Sequence, residues 1–359
     1  MKKERRKEKK QILMRSVLIT VIAFLVFAQS MPCASYADSV ATDNGDSAVQ
    51  TVIPGGMPFG VKLQTKGVVV VGISPLDDSD DGVCPASKAG IKTRDVIIGA
   101  NGKEINSIDD FSKALDDSGG KEIRLSVVRE KKEIKVGLIP VKSEKDGHYK
   151  AGIWVRDGAA GIGTVTFICP DEHFFAGLGH GICDPDTGIL MPMSHGTVYD
   201  VSIGSIRKGK EGTPGELRGF FSGPKTGALL ANTEYGTFGM LSVLPKSTEK
   251  PIGIADPKDV KCGEACILCT LDNNRTEKYS VSITKIIDRN RDSKNFVIRV
   301  TDKRLLEKTG GIVQGMSGSP IIQDGKLVGA ITHVFVNEPQ NGYGIFAKTM
   351  LEKSMRGVS

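Results

Sequence analysis

A serine near the carboxyl end of the chain has the surroundings of a nucleophile. Residues 315–320 read Gly-Met-Ser-Gly-Ser-Pro, which has the form Gly-x-Ser-Gly-x-Pro. Such a run makes a tight turn that exposes the Ser317 hydroxyl, and the N–H groups of Gly315 and Ser317 can point into one pocket. The run predicts an acyl-transfer site with Ser317 as nucleophile and with Gly315 and Ser317 as the oxyanion hole. Ser319 fits the pattern less well, and a plain Gly/Ser turn is the alternative interpretation.

A serine nucleophile needs a general base, and the chain has five histidines. His180 lies between Gly179 and Gly181, which let the backbone turn sharply and leave the imidazole accessible. This setting favours His180, although a histidine between glycines is more often only a turn residue. The other histidines lie in a hinge, in loops and in a strand-like stretch, and these are His148, His173, His195 and His333.

The third member of such a site is a carboxylate that orients the base. Asp302 lies fifteen residues before Ser317, so the order His180, Asp302, Ser317 follows one of the known chain orders. Spacing alone does not choose Asp302 over its rivals, which are Asp184 and Asp200.

Metal, cofactor and nucleic-acid functions have little support in the sequence. The spacing Cys262-x3-Cys266-x2-Cys269 lacks a second close pair to complete a zinc site, so a strand with small apolar cysteines is the better interpretation. The net charge of +6 arises within residues 1–15, which hold eight Lys/Arg and two Asp/Glu, so the remaining chain is neutral. We therefore expect no metal, no cofactor and no nucleic-acid partner.

The elements that must position these residues fall into four segments. Residues 1–37 carry a basic tail and a short apolar run at 17–28, which predicts an export signal that is cleaved or kept as a signal-anchor. Residues 38–54 form a polar linker. Residues 55–143 form a first domain with one helix, and residues 148–356 carry evenly spaced short strands. The fold class is therefore mainly β, with a closed or paired β-barrel in the last segment.

The first domain resembles a PDZ domain of the bacterial protease type. The match lies in residues 86–102, where Ala-x2-Ala-Gly-Ile is followed by Asp-Val-Ile and then by Asn-Gly. The resemblance implies that residues 60–64 accept a peptide as an added strand. A PDZ domain that serves only as a spacer is the alternative. The implied carboxylate-binding loop consists of Pro58, Phe59, Gly60 and Val61.

Together, these features resemble the SpoIVB peptidase family of endospore-forming bacteria. The similarity rests on the domain order, on Leu-Gly-His-Gly at 178–181 and on the run 313–320, and it extends from about residue 52 to 351. It implies a chymotrypsin-like double β-barrel peptidase domain. It also implies that the catalytic residues are His180, Asp302 and Ser317.

Met316 marks a departure from digestive serine peptidases. Those enzymes have an aspartate at this position, which pairs with a newly freed N-terminus. Since Met316 cannot form that ion pair, we expect control through the PDZ domain and the N-terminal segment.

The resemblance also implies a biological role. Family members are exported from the forespore into the space between its two membranes, process themselves near the N-terminus and cleave the membrane protein SpoIVFA. This cleavage triggers pro-sigma-K processing during sporulation. We expect a serine endopeptidase whose substrates are itself and a SpoIVFA-like protein, with a membrane-associated N-terminal segment. The alternatives are a non-catalytic PDZ adaptor with a degenerate peptidase domain and a general HtrA-like quality-control protease.

Overall fold

The computed structural model describes residues 51–76, 82–245, 249–272, 275–289 and 293–357. The predicted export signal at 1–37 and nearly all of the predicted linker at 38–54 lie outside the described residues. Within the described part of the chain, no helix is long and apolar enough to cross a membrane.

The described chain consists mainly of β-strands. In its first half the strands are β1 Thr51–Pro54, β2 Pro58–Ile73, β3 Val96–Ala100, β4 Lys103–Glu104, β5 Ile123–Arg129, β6 Lys132–Leu138, β7 Val141–Lys142, β8 Tyr149–Lys150, β9 Ile153–Cys169 and β10 Phe174–Gly177. The second half contains β11 Met193–Arg207, β12 Glu216–Thr233, β13 Gly236–Leu241, β14 Ile252–Gly253, β15 Gly263–Thr270, β16 Thr276–Ile286, β17 Phe296–Val300, β18 Pro320–Gln323, β19 Lys326–Phe335 and β20 Glu338–Phe346. The helices are α1 Pro85–Lys88, α2 Ile108–Asp117, α3 Lys303–Thr309 and α4 Ala347–Gly357. The predicted mainly β class is confirmed.

Two closed barrels form the larger part of the molecule. In the first barrel, β2, β9, β10, β13, β12 and β11 pair in that order, and antiparallel pairing of β11 with β2 closes the ring. The second barrel has the order β15, β16, β17, β20, β19 and β18. Apolar side chains that alternate along the strands fill both interiors, such as Phe59, Val61 and Phe175 in the first and Ile267 and Phe296 in the second. The predicted double β-barrel is confirmed.

A smaller unit is inserted into the first barrel and corresponds to the predicted PDZ domain. Its sheet contains the second half of β2 together with β3, β5 and β6. Helix α2 is capped by the preceding residue, Ser107, whose hydroxyl accepts a hydrogen bond from the Asp110 N–H at 3.0 Å. The helix buries Phe111 and Leu115 against Leu125 and the rest of this core. The unit therefore has a hydrophobic core of its own.

The predicted border between the first domain at 55–143 and the peptidase at 148–356 needs correction. β2 is continuous through both units: residues 58–64 pair with β9 inside the first barrel, whereas Val68 and Val69 pair with β3 of the insert. The chain thus starts the peptidase barrel before it enters the insert. This arrangement could not be predicted from local patterns, because each half of β2 has the composition of an ordinary separate strand.

The prediction that Pro58, Phe59, Gly60 and Val61 form a carboxylate-binding loop is wrong for the same reason. Phe59 pairs with Gly163 of β9 on one edge and with Asp200 of β11 on the other. Phe59 and Val61 are buried in the barrel core. A segment paired on both edges has no free backbone groups to hold a peptide terminus or an added strand.

Candidate active site

The predicted nucleophile lies in the loop between α3 and β18, where the two barrels meet. Gly315 and Gly318 have φ angles of +96° and +95°, which favour glycine. A Cβ atom on Gly318 would collide with the Thr164 carbonyl oxygen of β9. The Gly-x-Ser-Gly pattern is therefore required because the loop turns sharply and packs directly against the backbone of the first barrel.

Hydrogen bonds tie this loop to both barrels. The Thr164 N–H donates to the Ser317 carbonyl at 3.0 Å, and the Thr166 hydroxyl donates to the Gly318 carbonyl at 2.8 Å. From the second barrel, the Ile331 carbonyl accepts a hydrogen bond from the Gly318 N–H at 2.8 Å. The position of Ser317 thus depends on how the barrels are joined.

The two predicted oxyanion-hole donors are free. Within the loop, the Met316 N–H donates to the Val313 carbonyl at 3.1 Å, and the Ser319 N–H donates to the Met316 carbonyl at 2.9 Å. Among the described residues, the N–H groups of Gly315 and Ser317 have no acceptor. Two backbone donors left open beside a serine hydroxyl are what an oxyanion hole requires.

His180 lies in the loop that follows β10 and is held as one tautomer. Its Nδ1 is 2.8 Å from the Gly181 carbonyl oxygen, which can only accept a hydrogen bond. Nδ1 therefore carries the proton, and Nε2 keeps the lone pair that a general base needs. Burial lowers the pKa of His180 below its ordinary value, and the hydrogen bond to Gly181 opposes this only in part. The imidazole is accordingly neutral at neutral pH.

The structure brings His180 and Ser317 to the same short segment of β19. The Ser317 hydroxyl donates to the Thr332 carbonyl at 2.7 Å. The His180 ring lies 4.7 Å from the ring of His333, the next residue. A hydrogen bond from Ser317 to His180 is absent from the described structure. A rotation of the serine side chain away from Thr332 would have to precede proton transfer.

Asp302 does not reach His180, so the predicted triad contact is not formed. Its carboxylate caps α3 by accepting the Arg304 N–H at 2.9 Å, and it also accepts the Ser280 N–H at 3.2 Å. The Arg304 guanidinium lies 3.0 Å away. The hydrogen bond from the Arg304 side chain, followed by those from the two N–H groups, holds the pKa of Asp302 below its ordinary value against the effect of burial. The carboxylate is thus engaged as a helix cap on the second barrel.

Neither of the two rival carboxylates bonds to His180 in the described structure. Asp184 is buried and accepts hydrogen bonds from the Thr187 N–H and hydroxyl at 2.8 and 2.7 Å, and Arg156 pairs with it. Asp200 is exposed on β11. In the described part of the chain, the Gly181 carbonyl is therefore the group that orients His180.

His333 also lies at the site. The sequence did not determine on which face of its strand this side chain lies, because the face depends on the pairing register. His333 lines a mostly apolar cavity of about 330 Å³ beside the active site. Burial, together with the neighbouring His180 and Lys294, lowers the pKa of His333 to about 4. Other residues that line this cavity include Val61, Ala159, Ile162, Leu178 and His180.

Asn232 supports the loop that carries His180. Its Oδ1 accepts the Ile182 N–H at 2.7 Å, and its Nδ2 donates to the carbonyls of Ile182 and Met191 at 2.9 and 3.1 Å. No local motif marks this asparagine, because the groups that it binds are about forty and fifty residues away in sequence.

The cysteines do not form a metal centre in the described structure. There, no group of three or more His, Cys, Asp and Glu side chains is placed to hold an ion. Cys266 and Cys269 are buried in β15, so the prediction of a strand at this place is confirmed. Burial raises the pKa of the Cys269 thiol to about 12, which keeps it protonated.

A second cavity lies in the insert, between α2 and the start of β9. This groove measures about 600 Å³. Residues 153–156 of β9 pair with β2 on one edge, and among the described residues no strand pairs with their other edge. Apolar side chains that line the groove include Ile108, Phe111, Leu115, Tyr149 and Trp154.

Comparison with protein families gives two matches. The SpoIVB peptidase S55 family matches residues 147–351, which is more than half of the chain. The PDZ domain family matches residues 83–129, which lie within the insert.

Several solved protease structures are similar to part of the chain. The HtrA-type protease AlgW with a decapeptide is 12% identical, with a TM-score of 0.34 over 56% of this chain and 54% of that chain. The active form of the Rv3671c protease from M. tuberculosis is 14% identical, with a TM-score of 0.34 over 55% of this chain and 74% of that chain. The chain thus spans about half the length of the AlgW chain that it matches.

Proposed function

Since the chain belongs to the SpoIVB peptidase S55 family and is thereby a serine endopeptidase, we propose that Ser317 is its nucleophile and His180 its general base. The N–H groups of Gly315 and Ser317 form the oxyanion hole. The observation that carries this proposal is the pair of free N–H groups beside the Ser317 hydroxyl, on a loop that both barrels hold in place.

The geometry supports the following sequence of steps. Ser317 rotates away from Thr332, gives its proton to Nε2 of His180, and its oxygen attacks the scissile carbonyl carbon. The negative charge that develops on the carbonyl oxygen is stabilised by the two N–H groups. His180 then gives the proton to the leaving amine as the peptide C–N bond breaks, and an acyl-enzyme remains. Water, deprotonated by His180, hydrolyses this ester and restores Ser317.

The Gly181 carbonyl takes over one task that a carboxylate has in other serine peptidases. It keeps the proton on Nδ1, so that Nε2 is always the basic nitrogen. A neutral carbonyl stabilises the imidazolium less than a carboxylate does, and the lowered pKa of His180 reflects this. For Asp302 to act on His180, it would have to leave the Arg304 and Ser280 groups that it now binds.

A fluorophosphonate probe followed by mass spectrometry tests the assignment directly. We expect the probe to modify Ser317 of the wild type and to leave a Ser317→Ala variant unmodified. The same spectra report whether the chain trims its own N-terminal region and where. Normal self-trimming by purified Ser317→Ala would remove Ser317 as the nucleophile.

We further propose that the natural substrates are the chain itself and a SpoIVFA-like membrane protein in the space around the forespore. Membership in the family supports this role. The test is to produce the protease together with a SpoIVFA-like protein in membranes and to follow its cleavage. Rapid degradation of unfolded casein without cleavage of the membrane protein would instead favour a general quality-control protease.

The insert is proposed to regulate the peptidase through its groove rather than through residues 58–61. An open strand edge beside an apolar helix face suits a peptide that binds as an added strand. Deletion of residues 55–143 is no test of this idea, because it would remove a strand of the first barrel. Trp154→Ala within the groove, compared with Ile139→Ala at an exposed apolar residue outside its lining, changes the groove alone. Equal cleavage of the natural substrate by both variants would contradict regulation through the groove.

A further inference from the structure

A long hairpin extends from the first barrel to the nucleophile loop. β11 pairs with β2 only as far as Asp200, and β12 begins to pair with β13 at Gly227. Between these points, no other described strand pairs with β11 or β12, which pair with each other from Val201 opposite Phe221 to Arg207 opposite Glu216. We call residues 201–225 the arm. It leaves the barrel of His180 and contacts the barrel of Ser317.

The arm binds the peptide units that lead into the oxyanion hole. The Leu217 N–H donates to the Gln314 carbonyl at 2.8 Å, and the Gln314 N–H donates to the Gly215 carbonyl at 2.9 Å. Glu216 and Gln314 thus form a parallel bridge. Gln314 is the residue before Gly315, and the arm therefore holds both its backbone N–H and its backbone carbonyl.

The orientation of the next N–H follows from the geometry of the peptide bond. In a planar trans peptide, the C=O of one residue and the N–H of the following residue point in opposite directions. Since the Gln314 carbonyl points toward Leu217 of the arm, the Gly315 N–H points away from the arm. Gly315 tolerates either orientation of this peptide because it has no side chain. The hydrogen bond from Leu217 is what selects one of them.

Packing and charge fix the arm at this place. The Leu217 side chain is only 6% exposed and belongs to the core of the second barrel with Val313 and Met316. Glu216 pairs with Arg218 and, at 3.4 Å, with Arg207 across the hairpin. The tip is anchored separately, through hydrogen bonds from Gly209 to Thr309 at 2.8 Å and from Gly212 to Val336 at 3.0 Å.

We propose that the arm is the positioning element of the oxyanion hole, with the Leu217 N–H holding the Gln314–Gly315 peptide so that the Gly315 N–H stays available. This inference rests on the proposed roles of Ser317 and Gly315. Met316, which occupies the place of an activating aspartate, is fully buried in the second barrel, and its side chain contributes packing alone. The arm supplies the orientation that an ion pair would otherwise give, and it links the oxyanion hole to the barrel of His180.

The test compares Leu217→Pro, which removes the N–H, with Leu217→Val, which keeps it. Because this N–H points toward Gln314, its loss leaves the ladder between β11 and β12 intact. The measurements are kcat and KM on a self-cleavage peptide, which spans residues 38–55 where self-trimming is expected, and the rate of inactivation by a fluorophosphonate. We expect Leu217→Pro to lower kcat and the inactivation rate by about 10²- to 10³-fold, the effect of losing one oxyanion donor, with little change in KM. Because Leu217→Val keeps the N–H, its kcat and its inactivation rate should stay within about threefold of the wild-type values.

A second pair of variants covers the case in which proline prevents folding. A Cβ on Gly215 would collide with backbone atoms of Arg207 and Gly209 and lie 2.7 Å from Val313, whereas a Cβ on Gly204 meets only ordinary contacts from 3.6 Å outward. Gly215→Ala should therefore lower kcat while Gly204→Ala does not. Thermal unfolding confirms that each variant is folded at the assay temperature.

The possible outcomes separate this inference from the proposed site. If Leu217→Pro or Gly215→Ala is folded and keeps the kcat of the wild type, the proposed role of the arm is wrong. It is also wrong if KM rises by as large a factor as kcat falls. If the wild type does not react with the probe, or if Ser317→Ala reacts equally well, the proposed site itself is wrong.

Discussion

The nucleophile loop at 315–320 and the segment at 58–61 differ in whether the neighbouring strands leave their backbone N–H groups free. Both are short, glycine-containing runs that have the composition of a loop offering backbone N–H groups to a ligand. In the first, the N–H groups of Gly315 and Ser317 have no acceptor among the described residues, because the loop bonds through its other groups. In the second, β9 and β11 pair with both edges, and Phe59 fills the barrel core.

This difference shows that a binding loop is made by the elements around it. Glycine permits an unusual backbone, but the packed strands decide whether its N–H groups face a ligand or a neighbouring strand. The nucleophile loop keeps two donors free because the first barrel, β19 and the arm bind the rest of it.

The largest effect is expected at the hydroxyl of the nucleophile. Ser317→Ala should lower kcat by about 10⁶-fold, as in other serine peptidases in which the nucleophile is removed. The matched control is Ser319→Ala, since the Ser319 side chain is fully buried and so is withheld from a substrate. That control should keep near-normal kcat on the self-cleavage peptide. If Ser319→Ala loses kcat and Ser317→Ala does not, then Ser319 is the nucleophile.

A methyl group added to each region should separate catalysis from stability. In Gly318→Ala, the new Cβ meets main-chain atoms of Thr164 and Leu178, so the loop must move and kcat should fall by about 10²-fold or more. In Gly60→Ala, the Cβ meets the side chains of Phe221 and Val201. This overpacking should lower the free energy of unfolding by about 1–3 kcal/mol and lower kcat much less than Gly318→Ala does. Kinetics and denaturant unfolding of both variants measure the contrast, which fails if Gly60→Ala, while still folded, loses as much kcat as Gly318→Ala.

Asp302 should behave as a helix cap in this arrangement. Asp302→Asn keeps a good capping residue, so its kcat should fall by less than about tenfold. Asp302→Ala removes the cap as well and should lower the free energy of unfolding by about 1 kcal/mol. A triad carboxylate would behave differently, because its loss typically lowers kcat by about 10⁴-fold. Such a loss in Asp302→Asn would restore Asp302 to the triad and would require the loop to rearrange on substrate binding.

The smallest effect concerns pH. His180 must be neutral to accept a proton, and burial lowers its pKa below the ordinary value of 6.5. The base therefore stays neutral to lower pH, and kcat/KM should decline only as the pH falls through a midpoint below 6.5. A carboxylate beside His180 would raise the pKa and move this midpoint upward. A pH profile of kcat/KM, measured on the wild type and on Asp302→Asn, distinguishes the two cases.

Much of the fold and part of the site could be predicted from the sequence. The mainly β class and the double barrel follow from short strands separated by turn residues. Ser317 and His180 could be proposed from the sequence because glycines at fixed offsets mark the sharp turns on which they lie. The contact of Asp302 and the binding role of residues 58–61 were predicted wrongly. The position of the arm and the support from Asn232 were not anticipated, because they depend on partners distant in sequence.

The sequence by itself determined which residues can do chemistry and which turns they can occupy, since the tolerance of Gly315 and Gly318 for positive φ is a local property. Only the tertiary structure decided which backbone groups are left unpaired. It closed residues 58–64 between two strands, engaged Asp302 as the cap of α3, and brought the arm onto Gln314. The reason is physical: nearly every buried N–H and C=O must find a partner, and the partners are set by the packing of the whole chain.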